Sequence, residues 1–257
     1  AHYQPVMDLA TGRCVGAAAL ARWIGSDGNM VRPDVFIPIA EEVGLVPDIT
    51  LAILEATLRD LGGLLRENPH LSISINLAPE DLISDAFSHS LAQSLQRHSV
   101  PPSCIKLEIT ERAMVNTDDS REVIREFRKR GHQIAIDDFG TGYSSLAYLE
   151  SFDLDTLKID KSFVDAIGTQ AVTHSVVGHV IEMAKSLSLD IVAEGIETVQ
   201  QASWLIEQDV EYGQGFLYSR PVTARQFREF YYSRSEQARR LPPIPKPRRK
   251  PAIVQAL

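Results

Sequence analysis

Two adjacent carboxylates close the apolar run Ala135-Ile136-Asp137-Asp138 and lead into Phe139-Gly140-Thr141-Gly142. An Asp pair leaving a buried strand is costly unless a cation or several donors meet it, so the pair points to a metal. Other apolar runs finish in the same manner: Ile73 to Asn76, Ile105 through Glu108 to Glu111, Leu157-Lys158-Ile159-Asp160, Ile191 through Glu194 to Glu197, and Tyr212-Gly213-Gln214-Gly215. Asn76, Glu108, Asp137 and Asp138 are hard oxygen donors, a set that suits Mg²⁺ or Mn²⁺ better than zinc. Lys158 and Glu194 come from later runs and meet them if the runs share one mouth. Carboxylates gathered this densely repel one another without cations. The chemistry they suit is two-metal phosphodiester hydrolysis, with a water deprotonated between metals and the phosphorus oxygens clamped by metals and lysine.

Such residues need a scaffold that brings six strand ends together. Strand-like runs at about 3–9 and 14–23 flank the turn-forming Ala10-Thr11-Gly12-Arg13, an opening hairpin. Helical patterns follow at Pro33 to Val43 and Asp48 to Arg66. From Leu71 onward, strands at 71–77, 105–110, 133–137, 155–160, 190–194 and 211–217 alternate with helices near 79–97, 119–130, 144–150, 171–188, 198–208 and 223–232. Strict alternation without a G-x-G-x-x-G opening predicts a closed (β/α) barrel rather than a dinucleotide-binding sheet, and the C-terminal strand ends of such barrels carry the chemistry.

A chain of 257 residues, 44% hydrophobic, suits one barrel domain. The formal charge is −8, yet residues 239–250 hold six cations and no acid, which leaves −14 on residues 1–238. So acidic a body argues against binding DNA or RNA polymers but not against a phosphate substrate, because divalent cations would invert the local field. Cys14 and Cys104 show no C-x-x-C spacing, so neither a disulfide framework nor a zinc site is indicated, and a reducing compartment is expected. No apolar run reaches the ~20 residues of a membrane span, and no signal peptide opens the chain. The abrupt start at Tyr3-Gln4-Pro5 suggests an excised domain with a sensor or membrane domain fused upstream. Residues 1–238 are read as the barrel domain and 239–257, rich in proline and basic residues, as a disordered, solvated tail.

The motifs closely resemble the EAL-domain cyclic-di-GMP phosphodiesterases over residues 3–222. The matching blocks are Tyr3-Gln-Pro5, Arg22-Trp23, Phe36-Ile-Pro38, Ala40-Glu-Glu42, Asn76-Leu-Ala-Pro79, Glu108-Ile-Thr-Glu111, Asp137-Asp-Phe-Gly-Thr-Gly142, Lys158-Ile-Asp160, Ala193-Glu-Gly-Ile-Glu197 and Gln214-Gly215. The resemblance implies a modified (β/α)8 TIM-type barrel with an antiparallel first strand, in a bacterial signalling protein. It also implies hydrolysis of cyclic di-GMP to linear pGpG, with Mg²⁺ or Mn²⁺ required and Ca²⁺ inhibitory. By the same resemblance Asn76, Glu108, Asp137, Asp138 and Glu194 are expected metal ligands, Asp137 bridging two ions. Lys158 holds the attacking water or the phosphate, Glu194 is also the general base, and Glu111 braces the loop from Asp138 to Leu146. Arg22 meets a phosphate of the dinucleotide, and Asp160, Glu197 and Gln214 complete its site. A cytoplasmic domain, in a protein anchored at the inner membrane, is the implied location.

The departure lies in the motif that names the family. Gly-x-Glu-Ala-Leu-x-Arg-Trp is expected and Gly16-Ala17-Ala18-Ala19-Leu20-Ala21-Arg22-Trp23 is found, so Ala18 stands where a metal-binding Glu belongs. Two functions follow as expectations: a phosphodiesterase weakened at one ligand, or a receptor that holds cyclic di-GMP without cleaving it. Other signals are bland. Gly140-Thr-Gly142 lacks the ending of a phosphate loop, and His174 and His179 diverge in azimuth on their helix. The stripe Val176, Val177, Val180, Ile181 and Ala184 reads as a face packed on the barrel, although family members often form homodimers through this side.

Overall fold

The computed structural model describes residues 1–82, 84–111, 117–139, 146–169 and 172–240. Its strands are β1 (His2–Asp8), β2 (Cys14–Leu20), β3 (Trp23–Ile24), β4 (Met30–Val31), β5 (Ser72–Leu77), β6 (Ile105–Thr110), β7 (Gln133–Phe139), β8 (Thr156–Ile159), β9 (Asp190–Ala193) and β10 (Tyr212–Gly213). Its helices are α1 (Pro33–Glu42), α2 (Val46–Glu67), α3 (Pro79–Leu82), α4 (Asp85–His98), α5 (Thr117–Lys129), α6 (Leu146–Ser151), α7 (Lys161–Val164), α8 (Val172–Ser186), α9 (Val199–Glu207) and α10 (Ala224–Arg240).

Eight strands close into a barrel in the order β1-β10-β9-β8-β7-β6-β5-β2. β1 is antiparallel to both of its neighbours and every other barrel pair is parallel, as the motif resemblance implied. Alternation within each strand sorts its side chains. Ile73, Ile75, Leu107, Ile109, Ile134, Ile136, Leu157, Ile159 and Ile191 point outward into a continuous apolar core beneath the helices. α2 seals one sector with Leu54, Leu58, Leu61 and Leu65, one stripe at helical spacing, all buried. The inward positions are small or polar, among them Gly16, Ala18, Ser72, Ser74 and Thr156, and this second face is the one that builds the site.

Some boundaries differ from the sequence reading, each for a local reason. The single helix expected at 79–97 is two, because Ser84 takes an extended backbone and caps α4 by accepting from Phe87 N at 3.1 Å. The strand expected at 211–217 stops at Gly213: Gln214 N still donates to Ala193 O, but Gly215 then tucks against the Ile196 backbone, where a Cβ would lie 2.1 Å from Ile196 O. The β3–β4 ribbon and the short α7 carry no strong pattern and were not expected. α10 runs through Arg240, past the boundary drawn at 238, and residues 241–257 lie outside those described. In the α8 stripe Val177, Val180, Ile181 and Ala184 are buried on the barrel, while Val176 is exposed. Among the described residues no helix is long and apolar enough to cross a membrane.

Candidate active site

Lys158 is the geometric centre of the barrel mouth. It enters from the C-terminal half of β8, is 4% exposed, and its Nζ lies 2.7 Å from Glu108 Oε2, 2.9 Å from Asp137 Oδ2 and 2.7 Å from Glu194 Oε1. One ammonium faces three carboxylates, from β6, from β7 and from the residue that follows β9. Burial alone would pull the ammonium pKa down, but Glu108, Glu194 and Asp137 together raise it well above the usual value. Glu194 also accepts from Gln214 Nε2 at 2.8 Å. Its carboxyl is pushed up to about 7, first by burial, with Lys158 opposing and Asp137 and Glu108 adding to the rise.

A register shift between β7 and β8 sets the Asp pair. Ile136 pairs with Leu157 and Phe139 with Ile159, so one extra residue is accommodated at 137–138. Asp137 points to Lys158, its Oδ1 accepts from Asp138 N at 2.9 Å, and Asp138 takes φ +54°, an uncommon conformation for a side chain other than glycine. Burial, then Asp137 and Asp160, raise the Asp138 carboxyl. Asn76, the penultimate residue of β5, pairs with Glu108, on the inward face and exposed at the rim. Ala18 is also inward, paired with Gln4 on one side and Ser74 on the other.

The remaining expected residues make no contact with the Lys158 ammonium, although Asp160 lies near enough to Asp138 to raise its carboxyl. Asp160 caps α7 by accepting from Ser162 N at 2.9 Å, and Ser162 holds its carboxyl low although burial raises it. Glu197 pairs with Lys161 at 2.9 Å, and Lys161 also reaches Asp165 at 2.8 Å. The Lys161 stem lies where a Cβ on Gly195 would be, 2.4 Å away, and Gly195 has φ +68°, so that position requires glycine. Arg22 donates to Ala21 O at 2.7 Å and lines an apolar groove of about 510 Å³ with Trp23, Phe36 and Ile39. Both carboxylate oxygens of Glu111 are buried and meet no donor among the described residues, and most of the loop it was expected to brace, 140–145, lies outside them. His174 is likewise outside the described side chains.

Sequence reading missed Lys106. It lies two positions before Glu108 on β6, hence on the same inward face, and its Nζ bonds Thr156 Oγ1 at 3.1 Å. A lysine in phase with the site carboxylate within a buried strand was the available signal.

The described donors form no ready-made site for a divalent cation. Among the described residues no three of His, Cys, Asp and Glu are grouped to hold a metal ion, and Glu108, Asp137 and Glu194 are turned on the Lys158 ammonium. The charge balance nevertheless fits one. Three carboxylates share a single lysine, and the carboxyls of Glu194 and Asp138 are raised, so the mouth carries more negative charge than its own cation neutralises.

Barrel and mouth together define an α/β-barrel domain with an acidic, lysine-centred site at the C-terminal strand ends. Residues 1–221 match the sequence profile of the EAL domain. "Probable cyclic di-GMP phosphodiesterase PdeB" of Escherichia coli K12 is 48% identical over 226 residues, covering 88% of this chain and 43% of PdeB. "Probable cyclic di-GMP phosphodiesterase PdeN" of the same strain is 39% identical over 226 residues, with 88% and 44% covered. The solved structure of PaMucR phosphodiesterase in complex with c-di-GMP superposes with TM-score 0.82 at 34% identity, over 88% of this chain and 92% of that one. The chain belongs to the EAL domain family. It spans less than half the length of the curated relatives named here.

Proposed function

We propose that this domain binds cyclic di-GMP and hydrolyses it to linear pGpG with Mg²⁺ or Mn²⁺, Ca²⁺ being inhibitory, and that Ala18 weakens the hydrolysis. The observation that carries the reading is the Lys158 ammonium held within 2.9 Å of Glu108, Asp137 and Glu194 at the barrel mouth. Asn76, Glu108, Asp137, Asp138 and Glu194 would hold the ions. When bound, they supply a hydroxide-like water and neutralise charge on the phosphorus oxygens. Glu194, raised to about 7 and fixed by Gln214, is suited to take a proton from water near neutrality. Lys158 presents positive charge to the scissile phosphate, and Arg22 meets the second. Asp160 and Glu197 contribute through the loops they fix. PdeB and PdeN are longer than this chain, which supports reading it as one module of a larger signalling protein; a cytoplasmic position and a membrane anchor belong to the same proposal.

Ala18 favours the second reading, a receptor that does not cleave. Its inward position beside Ser74 and near Asn76 is one from which a glutamate would reach the mouth. Loss of a carboxylate there lowers occupancy by the ions and leaves the bound water less acidic. Ala18→Glu should bind Mn²⁺ at least about 10 to 100-fold more tightly. It should also turn over cyclic di-GMP faster by on the order of 10², read as pGpG by chromatography. A variant that binds the dinucleotide tightly yet stays inert with either ion establishes the receptor. Absence of dinucleotide binding by either chain overturns both readings.

A further inference from the structure

A barrel of this kind ordinarily fills its interior with layers of bulky branched side chains. This one does not. The inward positions Gly16, Ser72, Ser74, Ala135 and Thr156 are too small to meet across the axis, and they enclose a cavity of about 170 Å³ that reaches Glu108, Lys158 and Gln214. The cavity's other end is set by His70, Gln133, Asp190 and Tyr212, residues at the first positions of strands or just before them, all retaining solvent exposure. It therefore opens on the N-terminal face, opposite the mouth. At the closed end Gln214 is 7% exposed; its Nε2 holds Glu194, and its Oε1 is buried without a donor among the described protein atoms. On the wall below, Lys106 spends one of its three ammonium hydrogens on Thr156 Oγ1, inside a shaft that also carries Asp190.

We infer that the barrel interior is a hydrated shaft, entered from the N-terminal face, whose ordered waters are the partner of Gln214 Oε1 and so hold Gln214 against Glu194. A cavity of this volume has room for about five waters, and Ser72, Ser74, Lys106, Glu108, Thr156 and Gln214 along its wall offer them hydrogen-bond partners. Gln214 is a positioning residue: its amide is clamped from above by Glu194 and from below by water. Without the lower partner the buried carbonyl is unsatisfied, and rotating the amide would turn the carbonyl toward the Glu194 carboxylate, which repels it.

The test does not depend on turnover or on dinucleotide binding, so its failure is separable from failure of the proposed activity. A crystal structure of the chain that orders internal waters should show a column in the shaft, one member within hydrogen-bonding distance of Gln214 Oε1. Oxygen-17 relaxation dispersion should count about five long-lived waters. Ser72→Leu, which sets an apolar side chain across the entrance, should lower that count and release the Gln214–Glu194 bond. Ser74→Val, a smaller step that removes a hydroxyl from the wall without taking the acceptor of Lys106, should lower the count even where the bulkier variant does not fold. A dry shaft, or a protein donor on Gln214 Oε1, overturns the inference. Retention of the Gln214–Glu194 bond in a dried variant overturns the positioning role.

Discussion

Lys158 is the residue on which the mouth depends. It is buried, and three carboxylates are oriented on its Nζ at 2.7 to 2.9 Å. Replacing it with methionine keeps the stem and leaves that negative charge uncompensated, a change that costs about 3 to 5 kcal/mol when one partner of a buried pair is removed. Lys158→Met should melt well below the parent in a thermal scan, and millimolar Mn²⁺ should recover part of the loss; a variant as stable as the parent would show the carboxylates do not need the ammonium. The same residue marks how far the site was legible. Glu108, Asp137, Lys158 and Glu194 were readable because each ends an apolar strand run, and they do meet. Asp160 and Glu197 end similar runs but are taken up by an N-cap and a surface ion pair. An Asp that caps a helix and an Asp that faces a ligand look identical after a strand, and only the backbone direction beyond separates them.

At the scale of elements, Asp81 ties the start of the α3 turn to α2. Its fully buried carboxyl accepts from Ala78 N at 2.8 Å and from Thr50 Oγ1 at 2.9 Å. Burial pushes it up to about 6, against those two hydrogen bonds. A carboxyl whose folded pKa lies above its unfolded value keeps its proton longer in the folded chain. Its contribution therefore falls as pH rises from about 4 to 6, by up to about 3 kcal/mol. Asp81→Asn should flatten the dependence of the melting temperature on pH across that window, and parallel curves for the two chains would remove Asp81 from the account. Strand order and most helices were legible from alternation. The split between α3 and α4 and the two-residue β10 were not, since each hangs on one backbone decision, the extended Ser84 and the close approach of Gly215 to Ile196.

For the molecule as a whole, charge is the dominant long-range term: residues 1–238 carry −14, and the mouth concentrates part of it. Ions that bind the folded mouth and not the unfolded chain stabilise by mass action, about 2.7 kcal/mol at a hundred times Kd. Mg²⁺ or Mn²⁺ should raise the melting temperature more than NaCl at equal ionic strength, and Ala18→Glu should enlarge the difference. Equal effects of both salts would mean screening alone. One consequence of the topology concerns time rather than energy. The barrel closes where β1 meets β10, pairing Met7 with Gly213, and the seam is fastened by the Tyr3–Val222 bridge and by Phe227 against Tyr3. β1, the first strand of the barrel, must therefore wait for partners that lie more than 200 residues later in the chain. Until residues 212 to 227 emerge, β1 presents one unpaired edge, and loops that long close slowly, so the barrel of the nascent domain stays an open sheet until this segment is made.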